Sequence, residues 1–84
     1  MDEIKNIEER TRVGTLLSDV RKTCEWVDKH GIKRVGMTQE ELSKRTGIKQ
    51  GNIARIECGR YNFTFDTLSV LAGAIGWKVD LTKK

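Results

Sequence analysis

The stretch MTQEELSKRTGIKQGNIARIECGRYNF, residues 37–63, decides how the rest of this chain is read. Thr38 is a residue type that caps helix starts, and Glu41 stands three residues later, the spacing of a capping box. Leu42 follows as an apolar anchor beside the small Ser43, and Gly47 supplies a left-handed stop. Only Ile48 and Lys49 separate that stop from a second helical run, Lys49 to Glu57, with Ile53 and Ile56 as its buried stripe. At ~100° per residue, the opposite side of that run collects Gly51, Ala54, Arg55 and Cys58. The run starts badly for a helix. Gly51 costs about 1 kcal/mol relative to alanine, and a missing Ser, Thr, Asp or Asn cap costs about another.

The flanks extend the helical pattern. From Thr11 to Lys29, apolar residues fall at Val13, Leu16, Leu17, Val20, Cys24 and Val27, in steps of three and four. This spacing predicts a first helix over 11–30, stopped by Gly31, with Lys29 and His30 complementing its negative end. Residues 1–10 form an arm that either extends this helix or frays. Residues 31–37 read as a loop with two glycines. After the quoted stretch, Thr64 caps a fourth helix over 65–75, with Phe65, Leu68, Leu71, Ala72 and Ile75 as its core stripe and Gly76 as its stop. The tail from Trp77 to Thr82 alternates apolar and polar, which is a strand pattern. Proline is absent. The expected fold is all-α: a compact four- to five-helix bundle in one domain, residues 1–84, with a short C-terminal β-strand at 77–82.

Composition narrows the function. Hydrophobic residues make up 37% of the 84, enough for a small core and too many for a disordered tail. No apolar run approaches the roughly 20 residues that span a bilayer, and the charged start MDEIKNIEER lacks a secretion signal's apolar stretch. A cytoplasmic location without membrane contact is expected. Cys24 and Cys58 are far apart and His30 is the single histidine, so neither a metal site nor a cofactor is expected. No nucleophile and base pair up at useful spacing, and Glu40-Glu41 is explained by capping, so an enzyme is not expected. The net charge of +4 is unevenly spread. Residues 29–60 hold 8 basic and 3 acidic side chains, whereas residues 1–28 hold 5 and 7. A positive block of this kind suits a polyanion.

Two short helices joined by a glycine turn, the second followed by Glu-x-Gly, resemble the helix-turn-helix of the phage-repressor (Cro-like, Xre) family. Gln39, Leu42, Ser43, Gly47, Ile48, Ile53, Ile56, Glu57 and Gly59 stand where the family pattern expects them, and TFDTLSVLAGAIG looks like its fourth helix. The resemblance implies a lambda-repressor-like bundle whose segment 38–58 is the helix-turn-helix, with helix 49–57 entering the major groove. It implies an ion pair between Arg21 on the first helix and Glu57. The candidate DNA-contact set is Thr38, Gln39, Lys49, Gln50, Gly51, Asn52, Arg55, Arg60 and Asn62. Gln50 suits adenine, and Arg55 reads guanine or holds a phosphate. Gly51 either allows close approach of the backbone to the duplex or is simply tolerated. The uncapped amides at that end can bind phosphate.

The partners follow from the same reading. Double-stranded DNA is the main one, bound by a homodimer whose tail strands pair through Trp77, Val79 and Leu81. A dimer sets two reading helices about 34 Å apart, matching a twofold-related operator. The expected function is a sequence-specific transcriptional regulator, a repressor. The alternative is an antitoxin that binds a toxin protein, with Ile4 and Ile7 of the N-terminal arm as partner contacts, and that autoregulates its own operon.

Overall fold

In the computed structural model, residues 3–4 and 7–79 are described, with side chains from Ile7 onward. The first described element is a short strand, β1 (Glu3–Ile4), followed by helix α1 (Ile7–Thr23). Acidic Glu8 and Glu9 in the first turn and basic Arg21 and Lys22 in the last complement the helix dipole. Gly14, Leu17 and Arg21 form the buried stripe of α1, while Leu16 is 44% exposed.

The first helix stops at Thr23, not at residue 30. Strands β2 (Glu25–Val27) and β3 (Lys33–Val35) form an antiparallel hairpin, with Trp26 opposite Arg34. Three interactions outweigh the helical periodicity of Cys24 and Val27. The Trp26 indole donates to the Gly36 carbonyl at 2.9 Å and lies under the Arg45 guanidinium, 5.0 Å from the ring centre. Asp28 closes the turn, its carboxylate accepting from the Ile32 and His30 amides and from Arg34. The Ile32 amide above all holds the Asp28 carboxyl below its usual range, against the opposing effect of burial, and the Arg34 side chain and the His30 amide add to the lowering. Gly31 and Gly36 adopt positive φ, 76° and 85°. Gly31 is thus a hairpin residue and not a helix stop, and exposed His30 sits in the same turn.

Helix α2 (Gln39–Thr46) and helix α3 (Gln50–Glu57) follow, then strand β4 (Phe63–Thr64) and helix α4 (Phe65–Ala74). Thr64 caps α4, its hydroxyl accepting from the Thr67 amide at 3.1 Å. Phe65, expected in the core, is 49% exposed, and Phe63 takes the buried place at 2%. The reason is β4. It pairs with β1, Glu3 opposite Thr64 and Ile4 opposite Phe63, and this extended pairing precedes the helix. The N-terminal arm is therefore neither frayed nor continuous with α1 at residues 3–4.

Four helices are present among the described residues, α1 packing on α3, α3 on α2 and α2 on α4. The core between them is built from Leu17, Met37, Leu42, Ile53, Ile56, Phe63, Leu68, Leu71 and Ile75. After α4, Gly76 turns left-handed at φ 84° and the Trp77 amide reaches back to the Ala72 carbonyl at 2.8 Å, closing the helix end. Residues 77–79 are not in a strand; Trp77 is 54% exposed and Val79 packs against the core. The rest of the expected strand, Leu81 included, lies outside the described residues.

Glycine sets the closest helix approach. A Cβ on Gly14 would lie 2.2 Å from the Ile56 carbonyl oxygen, so α1 meets the end of α3 backbone to backbone. A Cβ on Gly73, in contrast, would meet nothing within 4 Å. Gly14→Ala is expected to cost about 3 kcal/mol, the upper range for an overfilled core. Gly73→Ala is expected to gain about 0.5–1 kcal/mol by restricting the unfolded chain. Urea unfolding of the two variants checks both signs.

Candidate nucleic-acid interface

The interface starts from a turn held by side chains. Thr38 stands at the start of α2 in extended conformation, its hydroxyl accepting the Glu41 amide at 3.0 Å. The Glu41 carboxylate does not return to complete a capping box; it accepts from Arg45 at 2.9 Å, one turn ahead. Gly47 takes φ 76° and its amide reaches the Ser43 carbonyl. The Ser43 hydroxyl donates to the Ile48 carbonyl at 2.6 Å, and the Ile48 amide donates to the Thr46 hydroxyl at 3.2 Å. Three residues are thereby fixed between the two helices, and the direction of α3 is set before its own packing begins.

Helix α3 has fully buried Ile53 and Ile56 on one side. Lys49, Gln50, Gly51, Arg55 and Cys58 are exposed, and Asn52 and Ala54 are half-buried. Lys49 makes no side-chain cap, and among the described residues the Gln50 and Gly51 amides have no backbone acceptor. Nothing lies within 4 Å of where a Gly51 Cβ would be, so no packing inside the chain requires glycine there. Arg55 takes part in no ion pair among the described residues. The result is a short exposed ridge with small residues at its crest and cationic side chains beside it.

Under the far end of the ridge lies a buried charge. The Glu57 carboxylate receives Arg21 Nε at 2.6 Å and Nη2 at 2.9 Å, a two-pronged pair with side chains only 8% and 5% exposed. Arg21 Nη1 donates to the Met37 carbonyl at 2.7 Å, and the Met37 amide returns to the Arg21 carbonyl at 2.8 Å. Gln39 Nε2 donates to the same carboxylate at 2.9 Å. Gln39, one of the candidate DNA contacts, is thus already engaged inside the protein.

The other candidate residues divide by position. Arg60 and Asn62 are exposed on the segment after α3. The Asn62 carboxamide oxygen accepts from Arg10 of α1, a contact that no helical or strand pattern signals. Trp77 is exposed, whereas Val79 packs inward. Cys58 and half-buried Cys24 are free thiols.

The sequence model of the helix-turn-helix family matches residues 32–81. This chain belongs to the Xre/Cro-like helix-turn-helix family. The comparisons with curated proteins and with solved structures returned no match. The matched segment runs from the hairpin turn, just before β3, past α4 and leaves α1 outside it. As a helix-turn-helix protein the chain is a DNA-binding transcriptional regulator, of a regulatory and not an enzymatic family. No described helix is long and apolar enough to cross a membrane. Within this helix-turn-helix, α2 and α3 are the two helices, and Arg21 from the preceding α1 supplies the cation beneath them.

Removing one partner of the buried pair leaves an uncompensated charge. Arg21→Met or Glu57→Leu alone is expected to cost about 3–5 kcal/mol, whereas the double replacement costs much less. Denaturant melts of the three variants check this, and equal losses in all three would contradict it.

Proposed function

We propose that this helix-turn-helix protein is a sequence-specific repressor that binds duplex DNA as a homodimer, with α3 laid in the major groove. One observation carries the reading: the exposed side of α3 is small at its crest, at Gly51 and Ala54, with unpaired Arg55 beside them. A groove about 12 Å wide admits a helix of this kind deeply. Lys49, Gln50, Asn52 and Arg55 reach toward base edges and phosphates from α3, while Thr38 and Gln39 at the start of α2 and Arg60 and Asn62 beyond α3 flank them. Paired contacts suit Gln50 to adenine N6 and N7, and the Ala54 methyl suits a thymine methyl. The free amides of Gln50 and Gly51 offer a phosphate two donors at the positive end of the helix.

The dimer is supported by exposed apolar surface at the end of α4, where Trp77 is 54% open. A twofold pair of reading helices is what an operator with twofold symmetry requires. The antitoxin alternative draws on the N-terminal arm with Ile4 and Ile7: Ile7 is 68% exposed, while Glu3 and Ile4 are paired with Thr64 and Phe63.

One titration tests the proposal. On a duplex selected from random sequence, binding is expected to saturate at two chains per duplex and to weaken steeply with salt. Arg55→Ala is expected to lose about 1–3 kcal/mol of affinity. Loss confined to the selected sequence assigns Arg55 to a base, and equal loss on every sequence assigns it to phosphate. One chain per duplex at saturation contradicts the dimer, and unchanged affinity of Arg55→Ala removes Arg55 from the interface.

A further inference from the structure

The start of α1 and the segment after α3 are joined at three places. β1 pairs with β4, Glu3 opposite Thr64 and Ile4 opposite Phe63. Gly59, at φ 74°, lies so close to α1 that a Cβ there would be 2.7 Å from the Thr11 hydroxyl and 3.0 Å from Thr11 Cα. Arg10 Nη1 donates to the Asn62 carboxamide oxygen. The first two contacts explain why the segment holds its shape. The third does something further, because it fixes which way an amide faces.

A guanidinium has donors only, so the atom of Asn62 that meets Arg10 is the oxygen. The Asn62 NH2 group is then turned away from Arg10, and Asn62 is exposed. Its two donor hydrogens have no acceptor among the described residues. Behind them stands a cation: among the described residues no ion pair involves Arg10, and its Nε is buried without a hydrogen-bond partner. Glu9, its neighbour, is turned to Arg12. Arg60 is exposed two residues before Asn62 and is likewise outside those pairs. Outward donors backed by positive charge suit an oxyanion, and next to α3 that anion is a backbone phosphate.

We propose that Arg10 is a positioning residue for DNA-backbone binding, orienting the Asn62 amide toward a phosphate and adding its charge behind it. The proposal rests on the DNA-binding reading above. It extends the interface to α1, outside the segment that the helix-turn-helix family model matches.

The test uses the selected duplex, with wild type and Arg55→Ala run beside Asn62→Ala, Arg10→Met and the double variant. Asn62→Ala is expected to bind about tenfold more weakly at an unchanged salt slope, since it removes a charge-assisted hydrogen bond but no cation. Arg10→Met is expected to weaken binding and to lower the salt slope by about 0.9, the value for one phosphate neutralised. In the Asn62→Ala background, Arg10→Met costs less than it does alone. Asn62→Ala within twofold of wild type, while Arg55→Ala loses binding, overturns the phosphate seat and leaves the DNA reading intact. Independent, multiplying losses overturn the positioning role. If Arg10→Met does not fold, Asn62→Ala, which leaves α1 unchanged, decides. Wild type that binds no duplex overturns both readings.

Discussion

The whole arrangement hangs on one carboxylate, that of Glu57. It sits at the end of α3, almost out of water, and receives two donors from Arg21 and one from Gln39. Those donors come from α1 and from the first residue of α2, and Arg21 also holds the Met37 carbonyl just before α2 begins. One buried charge thereby orients three helices. A buried ion pair is weak evidence for stability, because desolvation offsets much of its attraction. Its use here is geometric: the three donors tie α1 and the start of α2 to the end of α3. Gly14 permits the necessary closeness, since α1 touches the Ile56 carbonyl where any side chain would stand.

That constraint matters because α3 cannot hold itself. It has eight residues, no side-chain cap and a glycine in its first turn. Helices this short are marginal alone in water. Its stability comes from Ile53 and Ile56 beneath and from Glu57 at its end, which leaves the upper side free of structural duty. Gly51 is consistent with this division. No neighbour requires it, so its cost to the helix is set against access to the exposed ridge. The hydrogen bond from Arg10 to Asn62 continues the same logic beyond α3, where a loop side chain is aimed by a residue of α1.

The helix-turn-helix was legible because its signals are local. A threonine cap, a glycine stop and isoleucines three apart each act within one turn, and α2, α3 and α4 fall close to the expected spans. The hairpin at 25–35 was not legible for the opposite reason. Its apolar residues continue the helical spacing of α1, and the interactions that redirect the chain are longer in range: Trp26 to Gly36, Arg45 over Trp26, Arg45 to the Val27 carbonyl. Asp28 and Gly31 were the available turn signal, with Trp and Val as strand formers on either side. The exchange of Phe65 for Phe63 has the same origin, since β4 depends on pairing with β1, sixty residues earlier in the chain. At the site, the exposed side of α3 follows from helix geometry, but the engagement of Gln39 by Glu57 and of Asn62 by Arg10 does not. Such contacts are set by how helices cross, which spacing along the chain does not encode.

The account stands on α3 presenting a preformed, exposed face to DNA while its buried side stays in place. Backbone amide NMR during titration with a selected duplex tests this most directly. The account predicts large shifts at Gln50, Gly51, Ala54 and Arg55, with Ile53, Ile56 and Glu57 little changed. Saturation with those four signals unmoved and shifts gathered on another surface would contradict it.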